Sequence, residues 1–157
     1  MKNLSCIEVS PLRSFIERYF EAWRGGSPER VLGYFSQDAV IHLMGPPGVL
    51  AGKEMVAEKW VIPTVTNYPG NLHQIKNFFE AGEQVAVEWL FTGAHASTGK
   101  EINIPGCSIY WVSGGPIRRG NVYFNAPQPK RDSALSVADP TRHSQPSQPG
   151  PQAPSNL

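Results

Sequence analysis

Aspartate is scarce in the part of this chain that has folding character. Asp38 is the only one before residue 126, and the other acids there are glutamates at positions 8, 17, 21, 29, 54, 58, 80, 83, 88 and 101. Chemistry that needs two neighbouring carboxylates therefore has few recruits. Charge of one sign is lacking too: Lys and Arg number 14 against 13 Asp and Glu, a formal net charge of +1. That balance gives no footprint for nucleic acid or an anionic membrane, and the expected partner is a small, roughly neutral molecule. Cysteine is limited to Cys6 and Cys107, with no CxxC pair and no histidine at metal-ligand spacing. A disulfide scaffold and a zinc site are thereby disfavoured, and free thiols in a reducing compartment are expected. No run approaches the roughly 18 apolar residues of a membrane span. The opening MKNLSCIEVSPLRSF also lacks the apolar stretch of about 7–15 residues in a secretory signal or its lipoprotein variant. The expectation is a soluble, cytoplasmic protein with no membrane partner and no metal.

What is present is enough for one core. The chain has 157 residues, 40% hydrophobic and 10% aromatic, which suits a single domain and is too short for two. The apolar pattern stops at Asn125. Residues 126–157 contain seven prolines and no aromatic residue, so they cannot bury enough apolar surface to offset their ordering entropy and are expected to be a disordered tail. The domain is placed at residues 1–125.

Within it, helices come first. Ser10 and Pro11 form a helix start, and Leu12, Phe15, Ile16, Tyr19, Phe20 and Trp23 recur at helical spacing up to Gly25-Gly26. Ser27-Pro28 repeats the signal for a short helix through ERVLGYF. AVIHLM then reads as a strand, GPPGVLAG as an irregular loop, and GKEMVAEKW as a third helix ending before Pro63. Four strand-like segments follow, LHQIKNFFE, QVAVEWLFTG, EINIPGCSIYWV and IRRGNVYFN, joined by short links that favour antiparallel neighbours. The expected class is α+β, helices packed on a curved antiparallel sheet.

Few side chains in this frame can move a proton. Asp38 and Glu58 fit a turn and an exposed helix face. Glu88 shares a strand face with Ala86 and Leu90 and is expected on the outer sheet surface. Of the histidines before the tail, His95 fits a loop or strand end and His73 the partly exposed start of a strand. His42 in AVIHLM is the best titratable candidate, because a neutral imidazole suits proton abstraction near pH 7. Along the last segment, a period of two puts Arg119, Asn121, Tyr123 and Asn125 on one face and Arg118, Val122 and Phe124 on the other. The polar row either faces solvent or lines a pocket.

The element order, with FSQDAVIH, GVLAGKEMV, EQVAVEWLFTGAH and STGKEINIPGCSIYWVSGGPI in sequence, resembles the nuclear transport factor 2 superfamily. Within it, residues 11 to 125 are most similar to SnoaL-like polyketide cyclases and their ketosteroid-isomerase-like relatives. The resemblance implies a cone-shaped α+β barrel with a deep, mostly apolar pocket, and dimers formed through the sheet. It implies a cofactor-free enzyme acting by proton transfer (cyclisation, isomerisation or dehydration) on a hydrophobic carbonyl compound such as a polyketide or terpenoid intermediate. Where cyclase relatives carry an acid at the end of the last strand, this chain has Asn125. The two acidic positions of the isomerases correspond to about Leu43 and Gly106, so ketosteroid isomerase activity is not expected. Tyr19 matches the isomerase tyrosine of the first helix. With the polar row taken as pocket-facing on this resemblance, the expected catalytic set is His42, Tyr19, Tyr123 and Asn125. The substrate-binding set is Trp23, Trp60, Phe78, Ser108, Tyr110 and Asn121. The alternatives are a ligand-binding or dimerisation module of the same fold that has lost its acid, and an epoxide hydrolase or cyclase, for which the acid pair is missing.

Overall fold

The structure, a computed structural model, describes residues 9–125; the proposed tail and the first eight residues lie outside them. α1 (Pro11–Arg24) starts where Ser10 Oγ accepts from Arg13 N at 3.0 Å with Pro11 in the first turn, and it ends at Gly25. Its inward stripe is Ile16, Tyr19, Phe20 and Trp23, all buried. α2 (Pro28–Leu32) repeats the device with Ser27 Oγ accepting from Arg30 N. It stops at Leu32 rather than running through Phe35, because Gly33 caps it and Phe35 already begins β1 (Phe35–Leu43).

Two further expectations need correction. The GPPGVLAG stretch is not wholly irregular: its second half is β2 (Val49–Ala51), paired antiparallel with β1. The third helix does not end before Pro63. It runs as α3 (Lys53–Val56), a π-helical turn (Ala57–Val61) and α4 (Ile62–Asn67). Proline cannot donate to the carbonyl four residues back and crowds it. The chain absorbs this by widening the preceding turn, so that Ile62 N–H donates to Ala57 O, five residues back.

Four strands complete the sheet: β3 (Leu72–Ala81), β4 (Gln84–Ala94), β5 (Glu101–Val112) and β6 (Ile117–Phe124). The order is β2-β1-β6-β5-β4-β3. The hairpins are antiparallel as the short links imply, but β1 runs parallel to β6, with His42 opposite Asn121. The curved sheet is therefore mixed rather than antiparallel, with helices on its inner face. Ala39, Ile41 and Leu43 of β1, Val85, Val87, Trp89 and Phe91 of β4, and Tyr110, Val112 and Val122 join the α1 stripe in one buried cluster, the core. The outer face is left without a helix and exposes Phe79 and Tyr123; Glu88 lies on it as expected, hydrogen-bonded to Asn77. No helix among the described residues is long and apolar enough to cross a membrane.

Candidate functional site

Between α1, the π-helical segment and the inner face of the sheet lies a cavity of about 260 Å³. Its mouth is formed by the exposed Pro46, Pro47, Lys59 and Pro63. Its floor is Tyr19, Trp23 and Tyr110, which are fully buried. The sheet supplies His73 from β3, Trp89 and Phe91 from β4, and Val122 and Phe124 from β6. The lining is strongly apolar and contains no carboxylate; Lys59 is its single charged side chain.

His73 is the one histidine that reaches this space. Its ring stacks on Phe20 at 4.9 Å, meets Phe91 edge-on at 4.8 Å, and lies 5.6 Å from Trp23 and 5.7 Å from Trp89. Nδ1 is buried with no hydrogen-bond partner among the described residues. Burial among these rings penalises the imidazolium and pushes the pKa down to about 3. At neutral pH His73 is therefore an uncharged ring, able to donate through one nitrogen and accept through the other.

Of the other buried polar atoms without a hydrogen bond of ordinary length, two border this cavity, Tyr19 Oη and Trp23 Nε1, one turn apart on α1 and close enough to each other and to the Tyr110 hydroxyl to perturb the Tyr19 phenol. Tyr19 packs edge-on to Tyr110 at 5.7 Å and to Phe35 at 5.6 Å. Burial, and then the proximity of Tyr110, hold the Tyr19 phenol well above its ordinary range; burial also raises Tyr110. Both phenols stay protonated at neutral pH. An orphaned buried polar group costs about 1–3 kcal/mol, and such groups are rare enough to imply a partner that comes from elsewhere. Here three of them, in Tyr19, Trp23 and His73, border one cavity.

A stability measurement follows from this. Tyr19→Phe keeps the ring and deletes the unpartnered hydroxyl, so the empty protein is expected to hold its stability or gain up to ~1 kcal/mol. A urea midpoint lowered by the equivalent of more than ~1 kcal/mol would show that the hydroxyl has a partner in the empty protein.

The structure brings together Tyr19, Trp23, Trp60 and Tyr110 of the expected site. Ser108 is buried beneath the wall, where its Oγ accepts from Trp89 Nε1 at 2.9 Å and fixes that indole. The others lie elsewhere. His42 sits on β1 between the inward Ile41 and Leu43, so its side chain takes the opposite face of the sheet. Asn121 and Tyr123 alternate with the cavity residues Val122 and Phe124 and so face outward; Tyr123 borders a separate outer groove with Phe79, Glu88 and Cys107. The polar row is thus the outer row, because the apolar alternates fill the core. Asn125 lies exposed just beyond the end of β6 and does not line the cavity, and Phe78 packs against the core under Arg13. His73 was missed as a cavity residue, although its strand neighbour two positions on, Ile75, carries the apolar signal of the inner face. Among the described residues no three His, Cys, Asp or Glu gather as a metal-ligand set.

Solved structures share this architecture at low identity. A Catenulispora acidiphila protein with a ketosteroid-isomerase-like fold, crystallised with trimethylamine, matches with a TM-score of 0.65 at 18% identity, over 75% of this chain and 88% of that one. IdmH of Streptomyces antibioticus, provisionally described as a polyketide cyclase, gives 0.63 at 22% over 74% and 93%. The epoxide hydrolase/cyclase-like enzyme SalBIII, of pyran ring formation in salinomycin, gives 0.64 at 17% over 73% and 90%. No curated protein matches the sequence. The family model of the SnoaL-like domain matches residues 16–120, and the chain belongs to that family.

Proposed function

We propose that this protein binds a small, hydrophobic carbonyl compound in the aromatic cavity and moves a proton on it, without a cofactor. The observation that carries this reading is the neutral, unpartnered His73 on the wall of an apolar cavity whose floor holds two unpartnered donors. His73 takes the role assigned in the sequence to His42. A ring nitrogen accepts a proton from the carbon next to the carbonyl, the C–H electron pair moves into the carbonyl, and the new oxyanion accepts from Tyr19 O–H and Trp23 N–H. Return of the proton to another carbon of the conjugated system completes an isomerisation; attack of the enolate carbon on a second carbonyl, whose oxygen takes up the bond's electron pair and then the proton held by His73, completes a cyclisation.

The low pKa of His73 does not forbid this step. Lowering it from 6.5 to about 3 corresponds to about 5 kcal/mol against the imidazolium. An enolate formed about 4 Å away attracts that imidazolium by about 4 kcal/mol at an effective dielectric constant near 20. The two charges thus appear together or not at all, which couples proton uptake by His73 to formation of the enolate. The fold of the SnoaL-like family, which places an enclosed cavity between helices and sheet, supports the same reading. Dimerisation through the uncovered outer face would leave this cavity and its mouth free.

The test is hydrogen exchange into ketones in deuterium oxide, followed by NMR, with 2-tetralone, 1-indanone and 2-acetonaphthone methyl protons as probes. The wild-type protein is expected to accelerate exchange of at least one probe tenfold or more over buffer. His73→Phe, which keeps the ring stack but not the nitrogens, is expected to remove that acceleration. Exchange no faster than in buffer for all three, or an acceleration that survives His73→Phe, counts against the proposal. The first of these outcomes favours a binding module, a reading supported by the absence of any carboxylate from the lining.

A further inference from the structure

The charged and polar atoms around the cavity are arranged along its depth. At the floor are an indole N–H and a phenol O–H without partners, and beside them a neutral imidazole. At the mouth stands Lys59, exposed, in no ion pair among the described residues, and the one formal charge in the whole lining. No carboxylate lines the cavity to answer either end. An indole N–H can only donate, and neither it nor the neighbouring Tyr19 hydroxyl reaches a hydrogen bond of ordinary length, so this end of the cavity suits an acceptor oxygen rather than a second donor. An ammonium at the rim is answered best by an anion, and an anion placed there keeps most of its hydration, whereas at the floor it would have to be stripped of water.

The position of Lys59 is itself built by the fold. It lies inside the π-helical turn forced by Pro63, next to Trp60, whose ring packs on Trp23 at 5.1 Å. The same short segment thus supplies an aromatic wall and a cation one residue apart at the entrance.

We propose that Lys59 selects a substrate with an acidic group at the end opposite its reacting carbonyl: an elongated, conjugated keto acid, bound carbonyl-first with its carboxylate at the mouth. This rests on the cavity being the ligand site of the proposed function and adds the substrate class. It requires no proton transfer, so binding and turnover test different statements.

Three of the four tryptophans, Trp23, Trp60 and Trp89, line the cavity, so quenching of intrinsic fluorescence reports occupancy. The probes are 4′-acetylbiphenyl-4-carboxylate and the corresponding primary amide, which has the same shape and no charge. At 20 mM salt the acid is expected to bind the wild-type protein about four- to fivefold more tightly than the amide, the upper end of the range for one solvent-exposed, charge-assisted contact. At 0.5 M salt this preference is expected to shrink to about twofold through screening. Lys59→Gln is expected to abolish the preference, and Lys59→Arg to keep it. Because Lys59 is exposed, both variants are expected to fold, and their melting curves check this.

Acid and amide binding within twofold of each other at low salt would overturn the proposal, as would a preference that survives Lys59→Gln. Absence of saturable binding by either probe up to the millimolar range would also overturn it. A preserved acid preference in a protein that fails the deuterium-exchange test would leave this selectivity standing and remove only the catalytic reading.

Discussion

Acidification from pH 7.5 to 4.5 is expected to cost the folded protein roughly 2–3 kcal/mol through His73 alone. The group titrates near 6.5 in the unfolded chain and near 3 in the folded one, because burial among four aromatic rings opposes its charge. Between those two values the unfolded state binds a proton that the native state does not. Stability therefore rises with pH in this window, at about 1.4 kcal/mol per unit. The contribution is fully present above 6.5, is lost as the pH falls below it, and stops changing near 3, where the native imidazole also protonates. The carboxylates contribute their own acid dependence, so the informative quantity is the difference between wild type and His73→Phe in urea unfolding. That difference is expected to move against the wild type by roughly 2–3 kcal/mol over the interval, and a difference independent of pH would sink the assignment. NMR titration of the imidazole gives a second reading that does not depend on the variant folding: the His73 ring is expected to remain neutral down to at least pH 4.5.

His73 also marks where the sequence stopped being readable. Helix α1 was legible to the residue, since Ser10, Pro11 and the Tyr19/Trp23 stripe are local signals that tertiary packing reinforced. The strand LHQIKNFFE offered no such certainty. A period of two leaves the choice of face open, and apolar residues sit at both parities. Leu72 and Phe79 turned out to be exposed. The register also shifts between Ile75 and Asn77, so Ile75 and Phe78 both pack toward the core although they are three residues apart. No local signal announces that irregularity. On β1 and β6 the face was readable. Ala39, Ile41 and Leu43 alternate with His42, and Val122 and Phe124 with Tyr123; the rule that apolar alternates face the core matches the structure in both, but on β1 the need for a titratable group took precedence and set the expectation of His42 in the pocket. The resemblance-based preference for a polar row in the pocket overrode that rule on β6. The parallel pairing of β1 with β6 joins strands separated by four other strands and the helical segment, and short-link reasoning has no access to it. The widened turn before Pro63 is a compromise between a proline and a helix that packing retains, whereas propensity alone ends the helix.

Gly106→Ala is expected to destabilise the protein by roughly 3 kcal/mol and lower its melting temperature by roughly 10 °C. Gly106 lies directly opposite Trp89 in the β4–β5 ladder, on the inner face, where the indole lies flat over it. A Cβ there would come within 2.3 Å of Trp89 Cη2, 2.4 Å of Cζ2 and 2.8 Å of Cζ3. These distances are far inside van der Waals contact, so one partner has to move. The backbone of β5 is held on both sides by β4 and β6, which leaves the indole. To lift off, Trp89 must give up its hydrogen bond to the buried Ser108 Oγ, leaving both groups unpaired at about 1–3 kcal/mol each if no new partner is found. It must also move toward His73, 5.7 Å away across the cavity wall. At Gly106 the side chain is thus absent and the space is taken by an indole. Trp89→Leu tests this account as the second edge of a double-mutant cycle: in that background the added methyl meets no ring, and Gly106→Ala is expected to cost less than ~1 kcal/mol. If Gly106→Ala melts within about 2 °C of the wild type, or costs the same with and without Trp89, the indole is not what this glycine makes room for.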